Sequence, residues 1–255
     1  MNDRLTLIAE IPPFVPAGSA LRNLPVNLDA KKRVMLDAIR YSIEIFELNY
    51  RRVIATVEGW RTADGHPGEG MFASVLSDSW AMIDSLHRLQ SVVSTMTKKE
   101  KALPPYVKVL RDAASNVVVL RNAVQHVTGR IERLVSRRET PWGTISWLEL
   151  RGTDPIEGWT YTMVPGTLQV SERRSLPSVG GKTVRHQFDL LTLTSDGHSF
   201  CLSEAFQAVE VFALGLQESL TKQFGGAPTV GSDMVIEARL DANISPPRKP
   251  EPTPA

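Results

Sequence analysis

Residues 104–138, PPYVKVLRDAASNVVVLRNAVQHVTGRIERLVSRR, decide how the chain is read. Proline suits a first helical turn, where the N–H it lacks would have no partner. From Pro104 and Pro105 onward the apolar residues recur at threes and fours. At about 100° per residue, Val109, Leu110, Ala113, Val117, Leu120, Val124, Val127, Ile131, Leu134 and Val135 fall on one stripe. The spacing predicts one long helix over 104–138 with that stripe against a core. Arg111, Asn122, His126 and Arg133 lie on the far side, with Arg121 at the border. Val118 and Val119 share that outer side, so a second subunit is expected to press on it.

Upstream, Asp29 reads as the N-cap of a helix reaching about Trp60, in which Val34, Ile39, Ile43, Phe46, Leu48, Tyr50, Val53, Ile54 and Val57 keep helical spacing. Residues 62–70, TADGHPGEG, form a glycine-rich loop. SDSWAMIDSLHRLQSVVSTM then makes a second helix over about 74–96, capped by Ser74 or Ser77, and Lys98 to Lys101 form a solvated connection. Residues 1–28, broken by Pro12, Pro13 and Pro16, read as an N-terminal arm or edge strand.

Downstream of Pro141 the period changes. WGTISWLEL, GWTYTMV, GTLQVSE and TVRHQFDLLTLT are short and rich in β-branched and aromatic residues. They predict an antiparallel meander of three or four strands. Gly152–Pro155, Pro165-Gly166, Gly180-Gly181 and Asp196-Gly197 supply its turns. A helix returns over 203–224, a strand within 225–244 is expected to close the sheet, and 245–255 reads as a disordered proline-rich tail. The fold class is therefore mainly α (α+β). One unit over 29–224 would hold four long helices, with a small antiparallel sheet, about 142–200, inserted before the last.

The 255 residues are 42% hydrophobic and 22% charged, with a formal net charge of +1. That balance fits a globular protein with a sizeable core and argues against polybasic coating of nucleic acid. Arginine, the better phosphate fork, outnumbers lysine by 20 to 9. Cys201 is the only cysteine, which excludes an internal disulfide or a thiolate zinc cage. No apolar run approaches the ~20 residues of a membrane span, and the expected location is cytoplasmic.

The candidate site is Arg121-Asn122-x-x-x-His126. Random placement would give about 0.4 arginines five residues before a histidine, but only about 0.01 with asparagine directly after the arginine. Arg61 and His66 share the bare spacing and are read as coincidence. Asp84 and Arg88, an i,i+4 pair beside Trp80 and His87 on the second helix, are weaker binding candidates, as are Arg130 and Arg133. His186 and His198 lack carboxylate partners at ligand spacing, so no metal or cofactor is expected. Trp142, Trp147, Trp159 and Tyr161 are placed in the sheet core rather than on a base-stacking platform.

Arg-Asn-x-x-x-His on a late helix, within LRNAVQHVTGRIERL, resembles the signature of the HEPN superfamily, and SDSWAMIDSLHRL is more loosely similar to the helix before it. Gln125 stands where many relatives carry glutamate. Thr128 stands where a subset carries a modifiable tyrosine, so that toxin class is not expected. The resemblance covers about 29–138 and 203–224. It implies a homodimeric, metal-independent endoribonuclease, a toxin or defence effector acting on RNA and held in check by an antitoxin protein. Arg121, Asn122 and His126 would be its catalytic set. The alternative is a non-catalytic dimeric scaffold or RNA-binding protein of the same fold.

Overall fold

Asp29 caps the first helix as its sequence requires: its carboxylate accepts from the Lys32 N–H at 3.1 Å. That helix, α1, runs Ala30–Thr62. The computed structural model describes residues 11–62, 67–126, 128–152, 156–166, 184–230 and 233–237. Helix α2, Met71–Met96, starts ahead of both serines expected to cap it. Gly70, at φ 77°, turns the chain into the helix instead, with no side-chain cap.

The stretch 104–138 is not one helix. It forms α3 (Pro105–Ala113), α4 (Val117–Gln125), a 3₁₀ turn at Thr128–Arg130 and α5 (Ile131–Arg137). Ser115 and Asn116 fall at the first break and Gly129 at the second, residue types whose local hydrogen bonding or freedom competes with the helix. Val109, Ile131 and Val135, placed on the core stripe by periodicity, are 41%, 53% and 57% exposed, whereas Val107, Leu110, Ala114, Val117, Leu120 and Leu134 are buried.

Strands β1 (Thr144–Arg151), β2 (Glu157–Met163), β3 (Phe188–Ser195) and β4 (His198–Cys201) form an antiparallel sheet in the order β2-β1-β3-β4. Trp147 pairs with Tyr161, Ile145 with both Met163 and Leu193, and Thr194 with Ser199. Gly143 opens β1 at φ 77°, where a Cβ would stand 2.3 Å from the Thr194 carbonyl oxygen. Only glycine suits both constraints. The β1–β3 register shifts between Ser146 and Leu148, beside Leu190 at φ 52°. The buried Asp189 carboxylate supports this bulge by accepting from the N–H groups of Arg185, His186 and Leu190.

Helix α6, Leu202–Phe224, follows β4 directly. Its Ser203 Oγ accepts from the Leu191 N–H at 2.9 Å and lies 2.9 Å from the Tyr50 hydroxyl, joining α1, β3 and α6. Tyr50 also stacks on Phe206 at 4.1 Å between ring centroids. Helix α1 packs on α2, α3 on α6, and α6 on β3. One continuous cluster of buried apolar residues runs from Ile39 and Leu86 in the helices to Trp147 and Leu193 in the sheet.

Residues 1–10, most of the expected arm or edge strand, lie outside the described residues, as do 231–232 and 238–244 of the expected closing strand. Residues 11–28 form no strand; proline removes the donors a strand would need. Glu47, Arg51 and Gln217 instead hold the backbone of residues 11–14. Residues 225–230 and 233–237 contribute only an isolated bridge, Pro25 to Thr229. Most of GTLQVSE, together with 231–232 and 238–255, lies outside the described residues.

Candidate functional site

The centre of the candidate site is a carboxylate. Asp84, on α2, accepts from Arg121 Nε of α4 at 3.0 Å and pairs with Arg88 Nη2, one turn along its own helix, at 2.5 Å. Asp84 and Arg121 are about one third exposed and Arg88 two thirds. Two of the weaker sequence candidates thus join the leading one. A guanidinium has five donors in a plane, and anchoring through Nε fixes that plane relative to α4.

Asn122 and His126 are exposed, one turn apart. His126 does not sit mid-helix: it is the C-cap of α4, at φ −117° and ψ 37°, where the chain leaves helical geometry. Val118 and Val119, 42% and 43% exposed, lie on the preceding turn. On α2, the Trp80 indole N–H donates to the Trp142 carbonyl at 3.1 Å, and Trp142 itself is 52% exposed.

Arg130 and Arg133 turn elsewhere. Both pair with Asp196, with Arg137 close behind at 3.6 Å. Asp196 and Gly197, at φ 53° and 76°, form the tight β3–β4 turn. Its carboxylate is what three successive arginines of the α5 region enclose. The sequence marked Asp196-Gly197 as a turn, but nothing local announced its carboxylate as the acceptor for residues some sixty positions earlier.

Arg61 is no bystander. It lies in the last turn of α1, and its Nε is 3.1 Å from the Glu149 carboxylate, which is fully buried. Arg151 approaches the other oxygen at 2.8 Å, also contacts the Tyr161 hydroxyl, and stands 4.8 Å from the centre of the Trp159 ring. Trp60, Trp147 and Tyr161 form a cluster of rings, with Trp60 edge-on to both others. Burial, then the Glu149 charge, pushes the Tyr161 phenol above its usual range. The period-two series Trp147, Glu149, Arg151 carries this signal in β1. His66 lies outside the described residues.

Cavities of about 420 and 410 Å³ open beside Trp60 and beside Arg40, and neither is lined by Arg121, Asn122 or His126. Among the described residues no group of three His, Cys, Asp or Glu side chains is placed to hold a metal ion, and no helix is long and apolar enough to cross a membrane. Comparison with family models, curated proteins and solved structures finds no match to the chain.

Proposed function

We propose that this chain is a HEPN-type, metal-independent endoribonuclease that works as a homodimer, with Arg121, Asn122 and His126 as its reacting set. The observation that carries the reading is the Asp84–Arg121 pair, which holds a permanent cation one turn before an exposed histidine. Cleavage of RNA by its own 2′-OH needs a proton acceptor, a proton donor and a cation beside the phosphorane. Histidine serves either proton role near neutrality. Arginine forks two phosphate oxygens. The motif helix of one chain offers one such histidine, exposed at its end. A second copy, packed through Val118 and Val119, supplies the other and makes a cleft. An antitoxin covering the same face would silence the enzyme.

Purified protein should cleave single-stranded RNA in EDTA and leave 2′,3′-cyclic phosphate ends. His126→Ala should lower the rate by about 10²–10⁴ through lost proton transfer. Arg121→Lys should also be damaging, because the ammonium keeps charge but loses the planar fork. Asn122→Ala should be milder. Cleavage indifferent to His126→Ala, or dependent on added metal, would remove the proposal.

A non-catalytic RNA-binding or scaffold role has one observation in its favour: Asp84 occupies both Arg121 and Arg88. RNA binding without cleavage by the wild-type dimer would select it.

A further inference from the structure

Away from the motif, Arg40 is the most deeply buried cation of α1, 2% exposed. A buried guanidinium needs a partner anion, because leaving it unpaired is strongly destabilising. Asp233 is that anion. Its oxygens accept from Arg40 Nη2 and Nη1 at 2.6 and 2.9 Å, while the Tyr41 hydroxyl donates at 2.5 Å and Arg22 stands at 3.5 Å. The hydrogen bonds from Arg40, then from Tyr41, hold the Asp233 carboxyl well below the usual carboxylate range.

Asp233 comes from a segment, 233–237, that is exposed throughout. It adopts φ 37°, and Met234, Val235 and Ile236 are 82%, 99% and 81% exposed. The Asp233 side chain is itself 43% exposed, so its carboxylate reaches the buried Arg40 from the surface. Next to it a cavity of about 410 Å³ remains open, within the size range of small-ligand sites. Leu24, Val34 and Val230 give it apolar wall. Arg33 and Asp37 also line it, and Arg33 Nε is buried without a hydrogen-bond partner. Glu44, paired with Arg22 at 2.8 Å, keeps the clamp from carrying the full charge of three arginines.

We propose that this cavity is a binding site for a small organic carboxylate with an apolar body, and that Asp233 is a tethered stand-in which such a ligand displaces. The ligand's carboxylate would take the Arg40 fork and the Tyr41 hydroxyl, and its apolar body would fill the space beside Val34. Displacement frees residues 233–237 from α1. The site is independent of the Arg121 motif.

Hexanoate is the probe, with hexanol as the neutral control. Removing the tethered competitor raises the fraction of open sites, so Asp233→Asn should bind hexanoate at least about tenfold more tightly than wild type in calorimetry. Hexanol should bind neither protein. Tyr41→Phe, which is solvent-accessible and keeps the ring, should weaken hexanoate binding in the Asp233→Asn background. If Asp233→Asn does not fold, wild type titrated with hexanoate gives the answer. A saturable rise in Tm that Tyr41→Phe reduces supports the site. No hexanoate binding by folded Asp233→Asn, no rise in wild type where that variant fails to fold, or equal binding of hexanol overturns the proposal and leaves Asp233 a structural clip.

Discussion

Asp84 and Glu149 hold the same chemical inventory in opposite surroundings. Each is a carboxylate between two arginines, one of them on its own element and one from another. Asp84 is 35% exposed, with Arg121 at 31% and Arg88 at 67%. Glu149 is fully buried. In water the pairing energy is small and the groups stay exchangeable, so a phosphate can compete for the guanidinium. The buried Glu149 carboxylate has no water to turn to and depends on its arginines, although Arg61 and Arg151 are themselves 38% and 36% exposed. Burial, more than residue type, separates a site that can meet a ligand from one that holds the sheet to α1.

The sharpest way to break this contrast is to strip each carboxylate of its arginines. Arg61→Ala with Arg151→Ala leaves Glu149 buried and unpaired, and should cost about 3–5 kcal/mol in urea unfolding. A loss below about 1 kcal/mol would put Glu149 in the same class as Asp84. A pH titration sharpens it further. The folded Tyr161 phenol titrates above its unfolded value, so the folded state holds that proton more tightly. Its contribution is fully present below about pH 10 and is lost as pH rises through the folded value. Stability of wild type should therefore fall more steeply above pH 10 than that of Tyr161→Phe, measured as Tm against pH; parallel curves would remove Tyr161 from the account. The smallest effect on stability should come from Asp84→Asn, within about 1 kcal/mol by urea unfolding. If Arg121 acts on RNA as proposed, the same variant should change cleavage more than it changes stability, because it loosens the guanidinium without unfolding α4. Unchanged cleavage would mean that Asp84 does not position Arg121.

What could be read in advance follows from how local each interaction is. Asp29, α1 and the change of period at Pro141 depend on residues a few positions apart, and they stand close to where spacing puts them. The division of 104–138 was hidden because each fragment keeps an apolar face of its own. Val107, Leu110, Ala114, Val117 and Leu120 keep threes-and-fours spacing across Ser115-Asn116, so that break leaves no mark in the pattern, while Val109, Ile131 and Val135 stand off the buried face in solvent. At the site, Asp84 with Arg88 was visible as an i,i+4 pair, but its reach to Arg121 is set by how α2 packs on α4. The acceptors Asp196 and Asp233 join arginines 63 and 193 positions away, distances at which sequence spacing carries no signal.

The joint at Ser203 bears on the order in which the molecule can assemble. One hydroxyl meets Tyr50 from α1 and the Leu191 amide beside the β3 bulge, groups separated in the chain by 153 and 12 residues. A slip of β3 by one position would withdraw that amide and turn its buried side chains to the opposite face. The correct strand alignment is thus chosen by helices from both ends of the chain. The sheet is expected to remain unsettled until α1 and α6 have met, a long loop closure that weighs on the speed of folding more than on the final stability.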